Sequence, residues 1–162
     1  MAQEVIDLTI EPDGFTATVT GQPMAMPRPR LGSHFYNPAR NIMNAFARSV
    51  RDQIPELSTG ILFERNQPIA VDITFYMRRP NHHFRGRIRG NGRLKTTSGM
   101  VTACKPDIDN LAKFVLDSLK GVAYADDSQV VKLVLYKIMD SEGECNGATK
   151  VQIKRFNKIV DM

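Results

Sequence analysis

The sequence predicts an α/β fold: a single domain with a mixed β-sheet and two main helices. Three observations carry this. Short runs rich in β-branched and aromatic residues recur along the chain, and two stretches place apolar residues at helical spacing. The length of 162 residues suits one domain able to bury its own core.

The elements follow in order. "EVIDLTI" and "FTATVTG" alternate as strands, and "EPDG" between them supplies turn residues, so an N-terminal hairpin is expected. "QPMAMPRPRLGSHFYNPAR" is too rich in proline for regular structure. A helix is expected from about Pro38, with Asn37 as its cap. Ile42, Ala45, Phe46, Val50 and Ile54 form its apolar face, and Pro55 ends it. "PIAVDITFYMRR" reads as a strand. The stretch after it, about residues 78–105, has many glycines and charges and little apolar periodicity, which predicts a long, mobile loop. "DIDNLAKFVLDSLKG" is the second helix. Asp107 or Asp109 can cap it, Leu111, Phe114, Val115 and Leu119 face the core, and Gly121 stops it. "QVVKLVLYKIM" and "TKVQIKRFN" are strands joined by the polar turn "DSEGECNG".

Composition bounds the function. No apolar run approaches the roughly 20 residues of a membrane span, and the first residues lack the form of a signal peptide, so a cytoplasmic protein without membrane contact is expected. The net charge of +5 is a weak pointer to nucleic acid, but its distribution is informative. Arg78, Arg79, Arg85, Arg87, Arg89, Arg93, Lys95 and Lys105 follow one another with no Asp or Glu between them, and Arg28 and Arg30 lie in the Pro-rich segment. These are the expected phosphate contacts. His34, Phe35 and Tyr36 could stack on a base or fasten their loop to the core. His82 and His83 lack the further ligands that zinc needs.

Two acidic pairs stand out: Asp107 with Asp109, and Asp126 with Asp127. Residues i and i+2 share a face in extended chain, and a helix of about three turns followed by a short connection could return the second pair to the first. Carboxylates about 4 Å apart repel by on the order of 4 kcal/mol at an effective dielectric of about 20, so such a cluster calls for an offsetting cation. Oxygen ligands suit Mg²⁺ or Mn²⁺. Read separately, each pair could be only a helix cap or a solvated turn. Lys113 lies one turn after Asp109, where it could steady a phosphate's developing charge or merely pair with Asp109 or Asp117.

The segment "KPDIDNLAKFVLDSLKGVAYADDSQVVKL", from Lys105 to Leu133, closely resembles the RusA family of Holliday-junction resolvases. That family's core reads PDxDNLxKxxxDxL, then a short Gly-containing connection, then DDxQV. Asp107, Asp109, Asn110, Lys113, Asp117, Asp126, Asp127, Gln129 and Val130 match it in order, and the Pro-rich segment looks like that of phage-type members. The resemblance implies a Mg²⁺-dependent, homodimeric endonuclease that cuts four-way junction DNA in recombination and repair, in a bacterial cell or phage-infected host. It implies metal-binding roles for Asp107, Asp109 and Asp127, a catalytic role for Lys113, and help from Asp126. The connection "KGVAYA" is short, which leaves Asp126 or Asp127 open as the main ligand, with Asp127 favoured. The long basic loop exceeds that of the smallest members. Two other functions fit the residues: a non-catalytic basic nucleic-acid-binding module, or a metal-dependent nuclease for flaps or forks.

Overall fold

The computed structural model describes residues 13–28, 37–87, 89 and 92–156. The first strand of the expected hairpin, the His34–Tyr36 aromatics and Arg30 lie outside the described residues. The described elements are β1 (Gly14–Thr20), α1 (Arg40–Gln53), β2 (Ile69–Met77), α2 (Ile108–Leu119), β3 (Val130–Met139) and β4 (Ala148–Arg155). They form the expected single α/β unit with a mixed sheet.

The sheet order is β1-β4-β2-β3. β4 runs antiparallel to both β1 and β2, and β3 runs parallel to β2. The polar turn after β3 therefore carries the chain across β2 rather than into a hairpin. Alternation explains which face is covered. Ile69, Val71, Ile73, Phe75 and Met77 of β2 are buried, as are Val151 and Ile153 of β4 and Phe15 and Ala17 of β1. Both helices contribute to the same core, and Phe46 of α1 meets Phe114 of α2 edge to face at 5.7 Å between ring centres.

α2 matches its expected face, with Leu111, Phe114, Val115 and Leu119 all buried. α1 is rotated from its expected face. Met43 and Ala47 turn inwards beside Phe46 and Val50, while Ile42 and Ala45 are exposed. Asn37 does act near the start of α1: its Oδ1 accepts the Ala39 N–H at 2.9 Å. At the other end, the Gln53 side chain reaches β1, accepting from the Thr18 N–H at 3.0 Å and donating to the Thr18 carbonyl at 2.8 Å. Gln53 thus satisfies part of β1's outer edge.

Candidate active site

The start of α2 is held from two directions. The Pro-rich segment after β1 reaches it through the Met26 N–H, which donates to the Asn110 carbonyl at 3.2 Å. From the sheet below, Lys137 of β3 donates through Nζ to the carbonyls of Cys104 and Pro106, at 2.7 and 2.9 Å. Asp107 flanks the first helical residue in extended conformation, the backbone position of a cap, but its side chain makes no capping bond. Both of its oxygens accept instead from Lys105 Nζ, at 3.0 and 3.1 Å. Asp109 lies in the first turn, exposed, with Oδ1 accepting the Asn110 N–H at 2.9 Å. Lys113, a turn later, is exposed and forms no ion pair among the described residues.

The end of α2 is built differently. Lys120 closes the helix and Gly121 follows at φ 77°, a conformation that favours glycine. Tyr124 is fully buried and donates its hydroxyl to the Leu116 carbonyl at 2.7 Å. Gln129, also buried, accepts the Ala125 and Asp126 N–H groups at 2.8 and 2.9 Å and donates to the carbonyls of Glu64 and Gln67 at 2.8 and 3.1 Å. This side chain fixes the loop that carries the second acidic pair.

Within that pair the two carboxyls are unlike. Asp126 is consumed: one oxygen meets Lys120 Nζ at 2.7 Å, and the other accepts from the hydroxyl and N–H of Ser128, at 2.6 and 3.3 Å. The Lys120 bond, with the Ser128 bonds behind it, holds the Asp126 carboxyl well below the usual carboxylate range. Asp127 keeps Oδ2 3.9 Å from Lys120, while its Oδ1 is buried with no hydrogen-bond partner. Burial pushes the Asp127 carboxyl up, Lys120 partly opposes this, and Asp117 and Asp126 add to it. Lys120 itself is raised, first by its bond to Asp126 and then by Asp127.

The two pairs do not meet within one chain. α2 has 12 residues, so at about 1.5 Å per residue it separates them by roughly 18 Å. A shared divalent cation needs carboxylate oxygens within about 5 Å of each other, since each lies about 2.0–2.6 Å from the ion. Among the described residues no group of three or more Asp, Glu, His or Cys is gathered closely enough to hold a metal ion. The expected return of the chain beside the helix start is therefore corrected. The chain does return, but along β3, and reaches the start of α2 only at Lys137, ten residues after Asp127. The donors have the chemistry for Mg²⁺, and Asp127 Oδ1 is an orphaned acceptor, but the acids of a single chain do not fit one ion.

The basic residues divide too. Arg28, Arg78, Arg85, Arg87, Arg93 and Lys105 are exposed. Lys95 is partly exposed, and its Nζ donates to the His82 carbonyl at 2.7 Å. Arg79 is corrected: it is fully buried and unable to touch a phosphate. Its guanidinium donates to the carbonyls of Asp140 and Gly99, and Nη1 lies 3.3 Å from His83 Nδ1. Arg89 donates in turn to the Arg79 carbonyl at 3.3 Å. Burial, then the neighbouring charges of His82, Arg79 and Lys95, lower the His83 pKa. The basic stretch is thus not a bare loop. It carries short 3-10 turns at Asn81–His83 and Arg85–Arg87, and Phe84 is buried and bridged to Leu94.

Lys120, Lys137 and the anchoring role of Gln129 were not expected from the sequence. The usable signals were the place of Gln129 in the DDxQV motif and a charged residue inside an apolar strand, at Lys137.

The chain matches the model of the endodeoxyribonuclease RusA family over residues 20–154 and belongs to that family. It is also 33% identical over 135 residues to the uncharacterized protein YqaN of Bacillus subtilis (strain 168), covering 77% of this chain and 87% of that protein.

Proposed function

We propose that this chain is a structure-selective endonuclease that resolves four-way DNA junctions by metal-dependent phosphodiester hydrolysis, as a homodimer, with Mg²⁺ as its ion and Mn²⁺ as a substitute. The observation that carries the reading is the family match, which spans both helices, β2, β3 and nearly all of β4, and includes Asp107, Asp109, Lys113 and Asp127.

The chain's own groups suit the task. The exposed arginines at 28, 78, 85, 87 and 93 offer phosphate contacts, which position DNA without reading its sequence. They also offset the repulsion between a polyanion and the acids. Lys113 is free to approach a phosphate whose charge grows during hydrolysis. Asp127, with an unpartnered oxygen, is the better cation ligand of its pair, and Asp126 serves as the fixed cap beside it. No described helix is long and apolar enough to cross a membrane, and we take the site of action to be the cytoplasm of a bacterial or phage-infected cell.

The test is a gel assay on synthetic junction, fork, flap and plain duplex, with Mg²⁺ and with chelator, for the native protein and Asp109→Asn. Paired, symmetrical nicks in the junction with Mg²⁺ alone, lost in Asp109→Asn, are expected. Binding without nicking under any divalent ion would leave a non-catalytic DNA-binding module. Preferred cutting of flaps or forks would assign another nuclease.

A further inference from the structure

We propose that Arg79 and His83 are positioning residues for junction binding: they hold two limbs of the basic stretch, residues 81–87 and 92–101, as one folded cationic arm, and the hold requires an uncharged His83. The arm is set for DNA while that imidazole is neutral and loosens when it gains a proton. The choice of ligand rests on the nuclease reading above, and the latch itself on the geometry of this chain.

The arm has little core of its own. Its limbs pair through the Arg85 N–H to the Arg93 carbonyl at 2.8 Å and the Lys95 N–H to the His83 carbonyl at 2.9 Å. Phe84, which is buried, bridges Leu94. An isolated two-stranded hairpin is marginal in water, so the arm depends on what fastens its base. That fastening is Arg79. Its buried guanidinium donates to the Gly99 carbonyl on the returning limb at 3.1 Å and to the carbonyl of Asp140, the residue after β3. Nη1 also meets His83 Nδ1 on the outgoing limb at 3.3 Å. One side chain thus ties both limbs to the sheet. Arg85, Arg87 and Arg93 remain exposed on the limbs. An arm shaped beforehand escapes the ordering cost that a loose one meets on binding.

Arginine has donors and no acceptor, so the bond from Nη1 requires a lone pair on His83 Nδ1. This selects the neutral ring with its proton on Nε2. Among the described residues neither Arg79 nor His83 forms an ion pair. Both oxygens of the Asp140 carboxylate are taken by the N–H groups of Glu142 and Gly147, at 2.9 and 2.8 Å. The charged or titratable groups facing His83 are Arg79, Lys95 and His82, the last in edge contact at 4.6 Å between ring centres. All are basic. A proton on Nδ1 would remove the acceptor and set a second positive charge beside a buried one, with no acid paired to either. Burial first, and then those neighbours, hold the His83 pKa below its ordinary value of 6.5. With the folded value below the unfolded one, the stabilisation is whole above about pH 6.5 and is lost as pH falls through the folded value. A histidine that touches phosphate acts in the opposite sense, since its positive charge in acid strengthens the contact.

The test compares three full-length proteins that all carry His34→Gln and His82→Gln, which leaves His83 as the one imidazole of the chain's three. One has no further change, one adds His83→Asn and one adds Arg79→Lys. Asparagine offers an acceptor oxygen near the place of Nδ1 and takes no proton, and a lysine ammonium cannot span the three acceptors of the guanidinium. Binding is read by fluorescence anisotropy of a labelled synthetic junction, in chelator, from about pH 8 to about pH 5. Between those limits Kd should rise on the order of tenfold more in the parent than in His83→Asn. Arg79→Lys should bind weakly, by a similar factor, already at the upper limit, while its kcat at saturating junction with Mg²⁺ stays within about twofold. Hydrogen exchange without DNA, normalised to the intrinsic rate at each pH, is the second readout. The Arg85 and Lys95 amides should lose protection in acid in the parent and keep it in His83→Asn. If junctions are bound but neither binding nor amides respond to His83, the latch falls and the nuclease reading stands. If the amides respond while no protein binds junctions at any pH, the nuclease reading falls and the latch stands. Amides that respond while junction affinity does not would overturn the positioning role. Should Arg79→Lys fail to fold by circular dichroism, the His83→Asn comparison decides alone.

Discussion

The two ends of α2 carry acidic pairs of similar composition and opposite construction. At the C-terminal end, Gln129, Tyr124, Ser128 and Lys120 fix the loop through buried or charge-assisted bonds, and Asp126 is spent in that network. At the N-terminal end, Asp107 and Asp109 are exposed, and Asp107 is held only by a lysine two residues away. One end is fixed by a bond network, and the other is open to solvent. The difference teaches that acids close together in a continuous sequence motif can stand far apart in space, when a straight helix separates them.

The comparison can be broken most severely at the open end. Asp109→Asn is expected to reduce junction cleavage by on the order of 10²–10³ or more while gel-shift affinity for the junction stays within about twofold. Normal cleavage by that variant would remove Asp109 from the site.

Stability should respond in the reverse order. Gln129→Ala leaves two N–H groups and two carbonyls short of partners in a buried setting, a loss of about 3 kcal/mol, or roughly 6–12 °C in Tm. Differential scanning calorimetry without metal would show it.

The pair at that end should divide. The depressed Asp126 carboxyl contributes stability that is present above the ordinary carboxyl range near pH 4 and lost as pH falls through its folded value. The raised Asp127 carboxyl does the opposite: its contribution is present below that range and lost as pH rises through its folded value. At pH 7 without metal, Asp126→Asn should therefore lower Tm and Asp127→Asn should raise it. Thermal scans should show the gap between the two variants narrowing near pH 3. A common direction at pH 7 would mean that the two carboxyls are not unlike. The smallest effect is expected from Lys105→Ala. Removing so exposed a pair should shift Tm by less than about 2 °C.

Much of this fold was legible in the residues. The buried face of α2 and its Gly121 stop follow from spacing and backbone chemistry. The face of α1 was less determined, because Ile42 and Met43 both begin an acceptable helical stripe and only the neighbouring sheet decides between them. Strand order was not legible: the polar turn after β3 encodes a reversal, not the crossing that places β4 between β1 and β2. Arg79 was misassigned to the surface because its charge says nothing of the carbonyls of Gly99 and Asp140 that receive it. The acids were legible as residues, but the expected return of the second pair to the first was not met, since their separation depends on the length of α2 and the direction of β3 against it.

The most direct test is the anomalous scattering map of a crystal soaked in Mn²⁺. The account predicts an ion with Asp107 and Asp109 among its ligands. Ions bound only elsewhere, with neither Asp107 nor Asp109 as a ligand, would contradict it.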